Sequence, residues 1–268
     1  MQRKVLFLGA GLLAVILLFW MVFNLRGAKK PAPLEGTEEA FYSMAAAYEA
    51  RNELLKAKEA YGELLEKFPS STSVGKAKSE LERLNIKILF SSIPTPDSFA
   101  YEVVLGDTLT KIAKKYNTTV ELLTKSNNLT SPVIRLGRKL KVTKLKFSII
   151  ADKSQNILTL KADDRVVKTY RVATGINNCS PTGSFKIINK VVDPVWYTQD
   201  AVVPAGSPKN ILGTRWMGIS EPGYGIHGST DPTSIGKQST AGCIRMHNSD
   251  VEELYAIVPV GTEVVIRE

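Results

Sequence analysis

The sequence predicts a mainly β domain at its C-terminus, preceded by a small βααβ module, an α-helical hairpin and one transmembrane helix. Three observations predict this order. An uncharged run fills Val5–Asn24, apolar residues recur at helical spacing over residues 37–85, and the spacing changes to two from Leu145 onward. Of the 268 residues, 44% are hydrophobic and 23% are charged. This composition supplies a packed core and excludes a wholly disordered or collagen-like protein.

Charge and rare residue types limit the function classes. Lys and Arg number 35 against 26 acidic residues, which gives a formal net charge of +9. This surplus favours anionic partners, but no nucleic-acid-binding motif accompanies it, so no nucleic acid partner is expected. The chain has two cysteines and two histidines, which excludes multi-cysteine zinc modules and His-rich metal tracts. We therefore expect neither a metal nor a cofactor.

The run Val5–Asn24 is predicted to be an uncleaved membrane anchor within residues 1–30. As a helix rising about 1.5 Å per residue, it would match the hydrocarbon core of a bilayer. The alternative is a cleaved signal peptide, whose apolar stretch is shorter and ends in a small-residue cleavage site. No clear site of this kind follows the run, so the anchor is favoured.

Residues 37–92 are predicted to form a helical spacer. Apolar residues occupy one face of a first helix and one face of a second, which ends at Pro69. These residues are Phe41, Met44, Ala45, Tyr48, Leu54, Ala57, Tyr61, Leu64, Leu65 and Phe68. A third amphipathic stretch follows. The spacing resembles one tetratricopeptide repeat, whereas a solenoid needs about three. A spacer is therefore favoured, and a groove that binds a protein partner is the alternative.

Residues 99–144 have a βααβ pattern. A strand begins at Tyr101, Gly106-Asp107-Thr108 makes a turn and a helix cap, and Leu140-Lys-Val142 closes the module as a strand. The run YEVVLGDTLTKIAKKYNTTVELLTKSNNL and the later IRLGRKLKV resemble a LysM module over its whole length. The resemblance implies binding to N-acetylglucosamine-containing glycans. The implied groove residues are Gly106, Asp107, Thr108, Leu109 and Ile134.

Residues 145–268 are predicted to be mainly β. Alternating apolar residues mark strands around Ile149, Leu158 and Val167, and a last strand at Glu263–Arg267. A capping box that starts at Ser249 predicts one short helix over about 250–257. The long stretch Val191–Arg215 has two interpretations, a loop that covers a substrate or a satellite hydrophobic cluster under a loop.

Cys243 is the predicted nucleophile. Period-two alternation places Cys243 and Arg245 on one face of a strand and turns Ile244 and Met246 into the core. A guanidinium beside a thiol stabilises the thiolate. The same guanidinium fits a substrate carboxylate, with a structural ion pair as the alternative. The backbone N–H groups of Gly242 and Cys243 are candidates for an oxyanion hole.

His227 is the predicted base, because a free thiol is only slightly ionised at neutral pH. It stands among glycines that allow the close approach of another backbone, whereas His247 begins a surface helix. A Cys179–Cys243 disulfide is one alternative, which would block the nucleophile. A zinc site of Cys243, His227 and His247 is disfavoured, because it would lack a usual fourth ligand.

These residues resemble the signature of the L,D-transpeptidase catalytic domain of the YkuD type. That signature is a histidine followed by Gly and Ser/Thr and, after a spacer, Ser/Thr-x-Gly-Cys-x-Arg/Asn. It maps onto His227-Gly228-Ser229 and onto Thr240-Ala-Gly-Cys-Ile-Arg245. Many members have His where this chain has Ala241. Further matches extend the resemblance over residues 145–268; they are Ala173-Thr-Gly175, Ser180-Pro-Thr-Gly183, Pro204-Ala-Gly and Gly213–Gly218.

The resemblance implies a mechanism and a set of site residues. Cys243 attacks the carbonyl that follows the L-centre of diaminopimelate or lysine in a stem tetrapeptide, and His227 protonates the departing D-Ala. An amine of a second stem then resolves the thioester. The carbonyl of Gly228 orients His227, and the N–H of Gly242 contributes to the oxyanion hole. The residues expected to bind substrate are Arg245, Thr240, Trp216, Tyr224 and Asn248.

The predicted function is therefore that of a peptidoglycan L,D-transpeptidase. Its partners would be stem peptides and the glycan, and it would act in the bacterial cell envelope, anchored with its catalytic domain outside the cytoplasmic membrane. Two alternatives stay open. An L,D-carboxypeptidase would use water in place of the acceptor amine, and a non-catalytic wall-binding scaffold would keep its thiol oxidised.

Overall fold

The computed structural model describes residues 36–268. The predicted membrane anchor, Val5–Asn24, lies outside the described residues. Within the described part of the chain, no helix combines the length and the apolar character that crossing a bilayer requires.

Three helices form the helical unit at the start of the described chain: α1 (Glu38–Ala50), α2 (Leu54–Lys67) and α3 (Val74–Leu89). Helix α1 begins where the Thr37 hydroxyl accepts a hydrogen bond from the Ala40 N–H. The apolar faces of the three helices pack together around Leu64 and Leu84. The helices thus lie where the sequence predicts them, and α3 occupies the third amphipathic stretch.

The βααβ module follows: β1 (Ser98–Glu102), α4 (Leu109–Lys115), α5 (Val120–Ser126) and β2 (Lys139–Thr143). The two strands pair antiparallel, with Tyr101 opposite Leu140. Both short helices have a threonine at the N-cap, since the hydroxyls of Thr108 and Thr119 accept backbone N–H groups of the first turn. The predicted βααβ order is confirmed.

The rest of the described chain is the β domain. Its elements are β3 (Phe147–Asp152), β4 (Ile157–Ala162), β5 (Arg165–Arg171), β6 (Thr174–Gly175), β7 (Gly183–Val192), β8 (Trp196–Tyr197), β9 (Val202–Val203), β10 (Arg215–Ile219), β11 (Gly225–His227), β12 (Gln238–Thr240), β13 (Ile244–Arg245), α6 (Asn248–Ile257) and β14 (Glu263–Arg267). Among the described residues, eight strands form one sheet in the order β13-β11-β10-β7-β14-β3-β4-β5. The pairs β11–β13 and β14–β3 are parallel, and the other neighbours are antiparallel.

Helix α6 contacts β10 and β11 and contributes Val251, Leu254 and Ile257 to the core of the β domain. It begins two residues earlier than the capping box predicts. The reason is that the N–H of Val251 already donates to the carbonyl of His247, at 3.0 Å, and so closes the first turn. Asn248 thereby becomes the first helical residue.

The βααβ module shares a core with the β domain. Leu122 of α5 is buried among side chains of the β domain, whereas its neighbour Leu123 packs inside the module itself. The hydroxyl of Thr119 also donates to the carbonyl of Ala256 near the end of α6. Helix α5 therefore ties the module directly to the helix that packs under the β11 and β10 strands.

The helical unit covers the free edge of the large sheet. On β5, the Val167 carbonyl accepts a hydrogen bond of 3.0 Å from the Asn85 side chain of α3, which satisfies an edge group that would otherwise need another strand. At the end of the same helix, the ammonium of Lys141 donates to the carbonyls of Ile88 and Ser91, at 3.0 and 2.8 Å. Burial lowers the pKa of Lys141 to about 8.

The shared core predicts that Leu122→Ala destabilises the β domain together with the βααβ module. Removing a buried Leu side chain costs about 2–5 kcal/mol. Chemical unfolding followed by Trp fluorescence measures that loss, because Trp196 and Trp216 lie in the β domain. Leu136→Ala, on an exposed side chain, is the control and should change the unfolding free energy by less than about 0.5 kcal/mol. An unchanged transition of the β domain in Leu122→Ala would contradict the shared core.

Candidate active site

A row of four residues crosses strands β7, β10, β11 and β13. Trp216 lies opposite Val191 on one side and opposite His227 on the other, and His227 pairs with Arg245. Residues paired across neighbouring strands share one face of a sheet. The opposite face is buried and holds Met217, Ile226, Ile244 and Met246. The burial predicted for Ile244 and Met246 is confirmed.

His227 is a buried histidine with one ring nitrogen committed. Its Nδ1 lies 2.8 Å from the carbonyl oxygen of Gly228. Because a carbonyl oxygen can only accept, this contact places the ring proton on Nδ1 and leaves a lone pair on Nε2. Burial is the main cause that lowers the pKa of His227 to about 4; the Gly228 hydrogen bond opposes this shift, and the Arg245 charge adds to it. The imidazole is therefore neutral at pH 7 and can accept a proton.

Trp216 stacks on His227, with ring centroids 5.9 Å apart and planes inclined by 22°. Its indole N–H donates to the side-chain oxygen of Asn189 at 3.1 Å. A side chain at Gly225 would collide with the indole, since a Cβ there would lie 2.7 Å from the ring. Trp216, which was predicted to bind substrate, packs against one face of the His227 ring. Sequence reasoning missed Asn189, whose one signal is an amide in the middle of a strand.

Cys243 lies one residue before β13 and diagonally across the ladder from His227. The parallel register of Ile226 with Ile244 sets this relation, because each is the sequence neighbour of one of the two site residues. The Cys243 thiol is 3.8 Å from the carbonyl oxygen of Gly223. The register thus places the predicted nucleophile and the predicted base near each other on adjacent chain segments of the sheet.

The ionisation of Cys243 differs from the expectation. Burial raises the pKa of the thiol, and this effect outweighs the backbone N–H of Gly225 and the charge of Arg245, which both lower it. The thiolate that the neighbouring guanidinium was expected to stabilise is thus disfavoured, because desolvation of a charged sulfur costs more than the nearby charge returns. The thiol is protonated at neutral pH.

A tight loop precedes Cys243. Two of its residues, Thr240 and Gly242, were predicted to act on the substrate and instead make hydrogen bonds within the loop. The Thr240 hydroxyl donates to the Cys243 carbonyl at 2.7 Å and accepts the Gly242 N–H at 3.1 Å. The N–H of Gly242 is therefore engaged within the loop, contrary to its predicted place in the oxyanion hole, and the predicted substrate contact of Thr240 is also taken by the loop. Gly242 has φ +124°, and a Cβ there would lie 2.5 Å from the ring of Tyr224. Only glycine fits this turn.

Arg245 lies beside the nucleophile with part of its donor capacity unused. Its Nη1 donates to the Ser234 hydroxyl at 3.1 Å. Its Nε is buried and has no hydrogen-bond partner among the described residues. Asp231 is near enough to act on the guanidinium, but burial still lowers the pKa of Arg245. A half-buried guanidinium with an unpaired donor fits an incoming carboxylate.

Asn248 has different partners from those predicted. Its side-chain oxygen accepts the N–H groups of Ser229 and Thr214, at 2.9 and 3.3 Å, and its amide donates to the Ser229 carbonyl at 3.0 Å. A side chain at Gly213 or Gly228 would collide with that oxygen. The hydrogen bonds of its side chain thus go to the backbone next to His227, and its contact with substrate stays a prediction. The helix start at Asn248, which the capping box misplaced, produces this arrangement.

Both cysteines are free thiols in the structure. The Cys179 thiol is exposed and lies 3.9 Å from the Thr240 carbonyl, against the loop that carries Cys243. The alternative of a Cys179–Cys243 disulfide is thus not the arrangement found, and the thiol of Cys243 stays available.

The residues predicted to bind glycan lie at one end of the βααβ module, but they differ in access. Leu109 is buried in the core of the module and cannot line a groove. The carboxylate of Asp107 accepts the Tyr101 hydroxyl at 2.8 Å, and Thr108 caps α4. The side chains of Asp107 and Thr108 therefore make hydrogen bonds within the module, and only the backbone of this turn is left for a ligand. Gly106 has φ +84° at its tip.

Two loops meet at this end of the module. The N–H of Gly137 donates to the carbonyl of Val103 at 2.9 Å, which places the loop before β2 beside the loop after β1. Ile134 packs against the core of the module. The exposed apolar side chains nearby are Val104, Leu105, Val133 and Leu136. Sequence reasoning missed them, because apolar residues next to a strand usually indicate core.

The stretch Val191–Arg215 forms the hairpin of β8 and β9. The buried side chain of Asn210 holds its base by donating to the carbonyls of Pro194 and Pro204, at 2.8 and 3.2 Å. Tyr197 at the hairpin is largely exposed. This exposure disfavours a satellite hydrophobic cluster at the tip.

Comparison with known proteins finds two matching families and related solved structures. Residues 146–266 match the family described as YkuD, the L,D-transpeptidase catalytic domain, and residues 101–143 match the LysM domain. A solved structure, an L,D-transpeptidase from Mycobacterium tuberculosis H37Rv, superposes with a TM-score of 0.41 at 18% identity, over 50% of this chain and 63% of that chain.

Two relatives come from Bacillus subtilis (strain 168). The putative L,D-transpeptidase YkuD is 38% identical over 174 residues, which is 62% of this chain and 98% of the relative. The putative L,D-transpeptidase YqjB is 40% identical over 126 residues, 45% of this chain and 70% of the relative. This chain therefore belongs to the L,D-transpeptidase family of the YkuD type.

Proposed function

We propose that this protein is a peptidoglycan L,D-transpeptidase that works through a thioester on Cys243. The observation that carries the proposal is the neutral, buried His227 on the strand adjacent to Cys243, with its Nδ1 committed to Gly228 and its Nε2 free. A thiol and a base in this relation are the components of nucleophilic acyl transfer.

In the first half-reaction, the Cys243 thiol passes its proton to Nε2 of His227 while the sulfur attacks the carbonyl carbon after the L-centre of the donor stem. The backbone N–H of Cys243 is the candidate donor to the resulting oxyanion, since that of Gly242 is engaged with Thr240. The intermediate collapses with cleavage of the C–N bond. The imidazolium returns the proton to the amine, and D-Ala leaves.

In the second half-reaction, an amine of another stem attacks the thioester. Its proton passes through His227 to the departing thiolate, so that the cross-link forms and the neutral pair is restored. At rest, the raised pKa of Cys243 and the lowered pKa of His227 disfavour a thiolate–imidazolium pair. Proton transfer therefore accompanies the attack, as in general base catalysis.

Arg245 is proposed to bind a carboxylate of the donor stem. Its unpartnered Nε is buried beside the nucleophile, where desolvation strengthens an ionic hydrogen bond. Tyr224 lies against Gly242 and is proposed to contact the same substrate.

The LysM module is proposed to hold the glycan at its exposed apolar end, near Leu105 and Leu136. The proposed organisation keeps an anchor in residues 1–30, a tetratricopeptide-like helical spacer in 37–92, LysM in 99–144 and the catalytic domain in 145–268. We infer that the protein acts in the cell envelope, outside the cytoplasmic membrane, because its substrate lies there. Helix α3, which packs on the β domain, favours a structural spacer over a partner-binding groove.

Product masses test this proposal. The full chain, incubated with disaccharide-tetrapeptide, should yield a cross-linked dimer that has lost one D-Ala, and Cys243→Ala should yield none. Cys179→Ala is the matched control and should keep its activity, because that thiol is exposed and outside the sheet row. Disaccharide-tripeptide alone would instead establish the carboxypeptidase alternative, and unchanged substrate would contradict both.

The acid limb of the pH profile tests the role of His227. Because its pKa is lowered to about 4, the base stays neutral and active well below the range of an ordinary histidine near 6.5. We expect kcat/KM to fall only as the pH drops through about 4–5, measured where circular dichroism shows the fold to be intact. A half-maximal rate near 6.5 would contradict a buried, neutral base.

A further inference from the structure

One peptide group joins His227 to Asn248. Its carbonyl, that of Gly228, lies 2.8 Å from Nδ1 of His227. Its N–H, that of Ser229, donates to the side-chain oxygen of Asn248 at 2.9 Å. The carbonyl that fixes the histidine and the N–H that Asn248 receives are therefore the two ends of a single planar amide.

Asn248 holds that amide from several directions. Its side-chain amide nitrogen donates to the carbonyl of Ser229, one peptide further along, and its side-chain oxygen also accepts the N–H of Thr214, the residue before β10. Neither Gly213 nor Gly228 could carry a side chain without colliding with this oxygen. The asparagine thus occupies a closely fitted site between two loops, anchored as the first residue of α6.

From these contacts we propose that Asn248 is a positioning residue that orients His227 through the Gly228–Ser229 peptide. The inference rests on the proposed function, in which His227 is the base. Two effects follow from the geometry. The peptide plane cannot rotate, so the Gly228 carbonyl keeps its direction toward Nδ1. The hydrogen bond at the N–H end also polarises the amide and makes its carbonyl a stronger acceptor.

The test separates positioning from substrate contact. Asn248→Ala frees the peptide plane, so kcat should fall by on the order of 10²-fold with little change in KM, as for a misplaced catalytic group. The ¹⁵N chemical shifts of the imidazole provide a direct readout. In wild type at pH 7 they should show the proton on Nδ1, and in Asn248→Ala a mixture of tautomers. His227→Gln assigns the signals.

Asn127 offers a matched control in the LysM module. Its side chain accepts the N–H of Lys141 at 2.6 Å and donates to the carbonyls of Leu123 and Lys141, both at 2.9 Å, so it also bonds the backbone from both ends of its amide. Asn127→Ala should leave the tautomer of His227 and kcat unchanged.

Two results would overturn the proposal. One is a raised KM with unchanged kcat and an unchanged tautomer in Asn248→Ala, which would return Asn248 to substrate binding. The other is an equal change of tautomer in Asn127→Ala, which would indicate a general loss of structure. The NMR measurement needs no substrate, so it decides the role of Asn248 even if the chain proves not to be a transpeptidase.

Discussion

The burial of a neutral imidazole is the constraint on which the rest of the site depends. His227 pairs in the sheet with Arg245, a permanently charged side chain. A protonated histidine in the same position would be repelled by that charge as well as desolvated, and both effects lower its pKa. Because His227 stays neutral, Arg245 can remain beside it without charge repulsion. The glycines around the pair follow from the same close packing, since Gly225 admits the Trp216 ring and Gly242 admits Tyr224.

The modules are joined by more than a linker. Leu122 of the LysM module lies in the core of the catalytic domain, and the ammonium of Lys141 binds carbonyls at the end of α3. These contacts fix the glycan-binding end relative to the sheet row of the active site. Packing contacts, and not the linker alone, thus set the relative position of the two sites.

The sequence predicted those parts of the structure that depend on local pattern. Strand β14 has the predicted bounds, Glu263–Arg267, because alternating apolar residues and flanking polar ones define it without tertiary help. The βααβ order also followed from local signals, among them the turn and helix cap at Gly106-Asp107-Thr108.

The placements of Gly242, Asn248 and Leu109 differ from the expectation, each for a different physical reason. The N–H of Gly242 was predicted to be free, but it donates to the Thr240 hydroxyl. No rule of sequence spacing predicts which backbone groups of a loop form hydrogen bonds within that loop. Asn248 was placed at the substrate, but its partners come from loops 19 and 34 residues away in the chain. Leu109 was placed in a groove by the family resemblance, but it stands three residues before Ile112, at the spacing of one helix face, and packs with it in the core of the module.

Peptide mass spectrometry tests the covalent intermediate on Cys243 most directly. The full chain would be mixed with disaccharide-tetrapeptide, quenched in acid at short times and digested. We expect an adduct on the peptide that contains Cys243, with the mass of the donor stem lacking D-Ala and joined as a thioester. Cross-linked product that forms while Cys243 carries no adduct at any time would contradict it.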